Sequence, residues 1–135
     1  MKGRIVKLGG IAVATAIGFA TLVSVVQAQG DVIKDRQELM KSQGAAMKAI
    51  NGILEANGPL ADIAPQAAKL EETSAKIADL FPAGSDQGDT KAKPEIWQNP
   101  DDFAAKAKDL HEQAAMLSTA VAGGDMAAVK AQYEK

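Results

Sequence analysis

Three segments of this chain repeat apolar side chains in alternating three- and four-residue steps, a spacing that commits each to an amphipathic helix packed against others. From Val32 to about Ala56 the positions Ile33, Arg36, Met40, Gln43, Met47, Ile50 and Leu54 keep this step, and Leu39, Ala46 and Ile53 widen the stripe. A second segment, from Pro59 to Leu80, carries Leu60, Ile63, Ala67, Leu70, Ser74 and Ile77 in the same spacing, and a third carries Phe103, Ala107, Leu110, Ala114, Leu117 and Val121. No strand-type alternation of Val, Ile or Tyr occurs after the first 28 residues. Aromatic residues make up only 4% of the chain, with alanine, leucine and methionine in their place, which suits close-packed helices.

The breaks between segments fall at helix-stopping residues. Asn57-Gly58-Pro59 ends the first helix and starts the second, and Pro65 lies within the second helix's first two turns, so that end is irregular or the regular helix begins there. Residues 81–90 are turn formers and read as a long crossover. Asn99-Pro100-Asp101-Asp102 is a helix start, with a side-chain cap, proline at the first position and two carboxylates against the positive end of the helix dipole. Gly123-Gly124 ends that helix, and Asp125 caps a fourth beginning at Met126. The first three helices are each about 30 Å long and the fourth about 15 Å at Lys135. The expected fold is an all-α, antiparallel four-helix bundle whose fourth helix is incomplete. Its groove is then open at one end, so either a partner fills it or the polypeptide lacks its natural end.

The first residues carry Lys2, Arg4 and Lys7, followed by an apolar run from about Ile11 to Val26 and by Val26-Gln27-Ala28. This pattern predicts a cleavable secretory signal peptide over residues 1–28 and a bundle domain over residues 29–135. The apolar run is interrupted by Gly18, Thr21 and Ser24 and is shorter than the roughly 20 residues that span a membrane, so no membrane attachment is expected after cleavage. Cleavage removes three basic residues and no acidic one, leaving 12 basic against 17 acidic, a net charge of −5. Nucleic acid is excluded as a partner on that balance. The chain has no cysteine, hence no disulfide, although the exported location would permit one.

Several segments together resemble the class II c-type cytochromes, which include cytochrome c prime and its methionine-ligated relatives. These are Arg36-Gln37-Glu38-Leu39-Met40-Lys41-Ser42-Gln43-Gly44, Leu80-Phe81-Pro82 with Gly84-Ser85-Asp86, Lys93-Pro94-Glu95-Ile96-Trp97, Phe103, and Gly124-Asp125. They follow the family's order and spacing over essentially the whole chain after residue 28. The resemblance implies a periplasmic four-helix bundle that carries electrons through one haem c, works with redox partner proteins and pairs with a second copy as a homodimer. It also implies covalent attachment through a Cys-x-x-Cys-His motif near the end of the fourth helix. This chain has no such motif, and covalent attachment is not possible in it as written. A truncated reading frame or an incomplete sequence accounts for both the short last helix and the missing motif. The alternative is a haem-free periplasmic bundle that binds a partner or dimerises through its open groove.

Arg36 and Met40 lie four residues apart, on the apolar face of the first helix. A fixed charge there needs an anionic partner or a route to water. The resemblance assigns the haem propionates to Arg36 and makes the Met40 thioether a candidate axial ligand of the haem iron, a soft ligand that raises the reduction potential. The plain reading of Met40 is core filler, as for Met47, Met116 and Met126. His111, the sole histidine, adjoins the seam residue Leu110 in mid helix and reads as a surface residue. Trp97 and Phe103 read as hydrophobic anchors where the crossover docks. No nucleophile–histidine signature or phosphate-binding glycine pattern is present after the signal segment, so no enzymatic activity is expected.

Overall fold

The computed structural model describes residues 20–135, with side chains from Gly30 onward. The described residues contain helices and turns and no strand: α1 (Ala20–Glu55), α2 (Leu60–Ser74), a 3-10 turn (Ala78–Leu80), α3 (Glu95–Gln98), α4 (Pro100–Gly123) and α5 (Met126–Tyr133). α2 packs against α1 on one side and α4 on the other, and α5 packs on α4. The four long elements form the expected all-α bundle. No described helix is long and apolar enough to cross a membrane.

Four local details differ from the sequence expectations. α1 is already helical at Ala20, the first described residue, ahead of the expected start at Val32, and no proline interrupts it before Pro59. Residues 20–28 of the expected signal segment are thus helical, and its residues 1–19 lie outside the described residues. α2 runs through Pro65 but ends at Ser74, not Leu80. There the hydroxyls of Thr73 and Ser74 turn back to the carbonyls of Lys69 at 2.7 Å and Glu71 at 3.0 Å, a local bonding that competes with helix continuation. Asn99 precedes α4 but does not cap it with its side chain; its Nδ2 donates to Glu95 O at 3.4 Å instead. Lastly, the residues around Trp97 form the separate short α3, from which the chain turns into α4.

The α4–α5 corner follows the sequence closely. Gly124 ends α4 in the left-handed region at φ 77°, where a side chain is costly. Asp125 then caps α5, its Oδ1 accepting from Ala127 N at 2.9 Å and Ala128 N at 3.3 Å. This tight corner lays α5 back along the bundle. Its eight residues reach only about 12 Å, against about 36 Å for α4.

That shortfall divides the core. Beneath α5, Ile50 and Leu54 of α1, Ile63 and Ala67 of α2, Leu117 and Val121 of α4 and Val129 of α5 are all buried. At the opposite end Ile33, Arg36, Ile77 and Ala107 are buried under the crossover rather than under a helix. Between the two ends the stripes surface: Met40 and Met47 are each 39% exposed and Leu110 46% exposed.

Candidate functional site

A groove beyond the end of α5 occupies this uncovered middle, and toward the crossover lies a caged arginine with a hollow beside it. The groove is a cavity of about 190 Å³ lined by Gln43 and Met47 from α1, Leu70 and Ser74 from α2, Leu110, Ala114 and Leu117 from α4, and Tyr133 near the end of α5. Its walls are almost wholly apolar, a character that repels water and suits an apolar ligand or a packed helix. The last turn of α5 is fastened at its rim. Tyr133 Oη donates to Met47 O at 3.0 Å, and Gln132 Nε2 donates to Gln113 O at 3.2 Å and to Gln113 Oε1 at 2.8 Å. Burial, with a smaller contribution from the negative charge of Glu55, pushes the Tyr133 hydroxyl above its ordinary pKa. Gln43 Nε2 is buried without a hydrogen-bond partner, an arrangement that costs about 1–3 kcal/mol.

Toward the crossover, α1 carries Ile33, Arg36 and Met40 on one face. Arg36 is only 4% exposed, and its guanidinium makes five hydrogen bonds. Nε donates to Leu80 O at 2.9 Å, Nη1 to Ser85 O and Thr90 Oγ1, both at 3.2 Å, and Nη2 to Ser85 O at 3.2 Å and Ser85 Oγ at 2.6 Å. Phe81 lies under the guanidinium at 4.1 Å and Trp97 at 5.4 Å, both within cation–π range. The aromatic rings hold each other: Phe81 sits 4.6 Å from Phe103 and 6.0 Å from Trp97. Trp97 Nε1 donates to Pro82 O at 2.9 Å, tying α3 to the crossover. Burial lowers the Arg36 pKa from its ordinary value, yet a guanidinium stays charged in a protein.

Among the described residues no anionic side chain pairs with Arg36; carbonyls, hydroxyls and aromatic faces surround its charge. Ser85, Thr90 and Phe81 complete the cage, and the sequence reading assigned them no role. The available signal was weak: two hydroxyls and an aromatic residue within a turn-rich stretch.

Met40 borders a hollow of about 540 Å³ shared with Arg36, Gln37, Phe81, Thr90, Lys91 and Ile96, so the structure brings the two expected site residues together. Met40 does not line the α5 groove, whereas Met47 does. His111 is half-buried, not free on the surface. Its Nδ1 lies 3.2 Å from Ser74 Oγ and 3.1 Å from Glu71 O. Because a carbonyl only accepts, Nδ1 carries the proton, and the ring ties α4 to the last turn of α2.

Comparison with known proteins places the chain in one family. A family model described as Cytochrome C' matches residues 31–135. A cytochrome c' of Rhodopseudomonas palustris is 38% identical over 136 aligned positions, covering 97% of this chain and 86% of that protein. Among solved structures, cytochrome c' from Thermochromatium tepidum superposes with a TM-score of 0.75 at 27% identity, covering 78% of this chain and 85% of that one. A cytochrome c' characterised by ligand-controlled dimer dissociation gives 0.73 at 27% identity, with the same coverage of both chains.

Proposed function

The chain belongs to the cytochrome c' family, and we propose that it serves as a periplasmic haem-binding electron carrier, with the haem seated where the groove and the Met40 hollow leave the bundle uncovered. Members of the family are haem proteins that transfer electrons and bind gases and are not classical enzymes. The observation that carries the reading is the uncovered middle of the bundle. The apolar stripes of α1 and α4 surface at Met40, Met47 and Leu110, and Met47 and Leu110 line a largely apolar cavity.

A covalently held haem c does not fit the residues present. Thioether bonds need cysteine thiols, and the chain has none. The proximal ligand is an imidazole, and the one histidine is engaged on Ser74 and Glu71 and does not line either hollow. Met40 stands as the candidate axial ligand of a haem iron, supported by its exposure at the rim of the hollow. Arg36 stands beside it as a neighbour of the site whose donors are already engaged.

The remaining parts of the reading rest on sequence. A signal peptide cleaved after Ala28 delivers the protein to the periplasm, where it meets redox partner proteins. A homodimer is supported by the relative known for ligand-controlled dimer dissociation. The second reading is a haem-free bundle that binds a partner through the groove, favoured by the absence of cysteine together with the firmly docked end of α5.

Reading the coding DNA past the codon for Lys135 tests the proposal. A Cys-x-x-Cys-His encoded within about 20 codons, in any frame, is expected, and a product that includes it should show a Soret band after periplasmic expression. If no such motif is encoded and the purified protein has no Soret absorption, the electron-carrier reading fails and the haem-free bundle stands.

A further inference from the structure

We propose that Arg36 is a latch and not an anion receptor: its guanidinium fastens the crossover onto α1 and so positions the wall of the hollow beside Met40. A guanidinium has five N–H donors, and here Nε makes one hydrogen bond, Nη1 two and Nη2 two. A carboxylate pairing in the bidentate manner uses two parallel donors, so it would have to displace loop acceptors and leave Ser85 or Leu80 unpaired. The ring of Phe81 at 4.1 Å covers the guanidinium from the side.

The crossover has little else to hold it. Its other described ties to the rest of the bundle are the packing of Phe81 on Phe103 and Trp97, the Trp97 bond to Pro82 O, an exposed bond from Gln37 Nε2 to Asp89 O at 2.8 Å, and the close approach of Gly88 to Ile33. Arg36 by contrast reaches Leu80, Ser85 and Thr90, at the beginning, middle and end of the crossover. Ser85, 1% exposed, relays the grip by donating from Oγ to Pro82 O at 2.8 Å. Thr90 does the same by accepting from Ala92 N at 3.1 Å. Thr90, Phe81 and Arg36 also line the hollow that Met40 borders, so the latch shapes that hollow without offering a free donor to it.

The test uses the full chain and needs no haem, so its outcome is independent of the electron-carrier reading. Trp97 is the only tryptophan, and its fluorescence reports the cage directly. Arg36→Lys keeps the charge but has neither the planar fork nor the stacking surface. It should raise acrylamide quenching of Trp97 and speed tryptic cleavage after Lys91 by at least about tenfold, with the helical circular dichroism unchanged. Ser85→Ala, which removes one acceptor and leaves every charge in place, should speed that cleavage by at least about threefold. Sodium propionate should leave the wild-type emission and cleavage unchanged. Rescue by lysine, or a saturable response of Trp97 to propionate, overturns the latch. If the Arg36 variant loses its helical signal, Ser85→Ala decides: cleavage at the wild-type rate refutes the proposal.

Discussion

Replacing Gln43 by methionine should make the chain more stable, an unusual sign for a change near a core. Gln43 stands on α1 at the groove wall, and its Nε2 is buried with no acceptor in reach. Leaving such a donor unpaired costs about 1–3 kcal/mol. Methionine has nearly the same volume, is unbranched like glutamine, and has nearly the same helix propensity, so the exchange introduces neither a cavity nor a steric clash. The net gain should therefore be about 1–2 kcal/mol, since the amide oxygen surrenders some hydration in return. For a domain of this size that is a rise in Tm of roughly 3–10 °C. Urea unfolding followed by far-ultraviolet circular dichroism measures it as a higher midpoint at constant slope. Ser118→Ala supplies an independent control, because Ser118 Oγ on α4 is the other buried side-chain atom without a partner among the described residues. If Gln43→Met lowers stability while Ser118→Ala raises it, Gln43 has a partner in solution and the groove is not the dry surface described.

Tyr133→Phe should cost about 1 kcal/mol through loss of the bond to Met47 O, and hydrogen exchange should show it as faster opening of α5. The pH dependence follows from the raised pKa of the same hydroxyl. Below its ordinary value near 10 both folded and unfolded states keep the proton; above it the unfolded chain releases the proton first, so stability falls as pH rises through the folded-state pKa. Loss of that alkaline slope in Tyr133→Phe checks the assignment. Gly88→Ala should loosen the crossover by about 1–3 kcal/mol, because φ is 112° and the added Cβ would stand 3.1 Å from Ile33 Cδ1; increased quenching of Trp97 is the readout. In a haem-loaded form of the protein, Met40→Ala should convert a low-spin spectrum to a high-spin one, and an unchanged spectrum rules Met40 out as axial ligand.

What the sequence revealed depended on how local each determinant is. The stripe Ile63, Ala67, Leu70, Ser74, Ile77 is buried throughout because a 3.6-residue period alone decides which face of a helix turns inward. The Asp125 cap was equally readable, since the acceptor and the amides it serves lie within three residues of each other. The Arg36 cage was not. Its acceptors lie 44 to 54 residues away in sequence, in a loop whose path no periodicity constrains, and three of its five bonds go to backbone carbonyls that carry no mark in the sequence. A cation on an apolar stripe therefore pointed to an anion, and the folded loop that surrounds it could not be read. The same limit applies to His111: its place beside Leu110 could be read, but its bond to Glu71 O required knowing where α2 stops. That stop is set by the back-bonded hydroxyls of Thr73 and Ser74, which weaken the helix at the point where the chain must leave the bundle to cross over and be caught by Arg36.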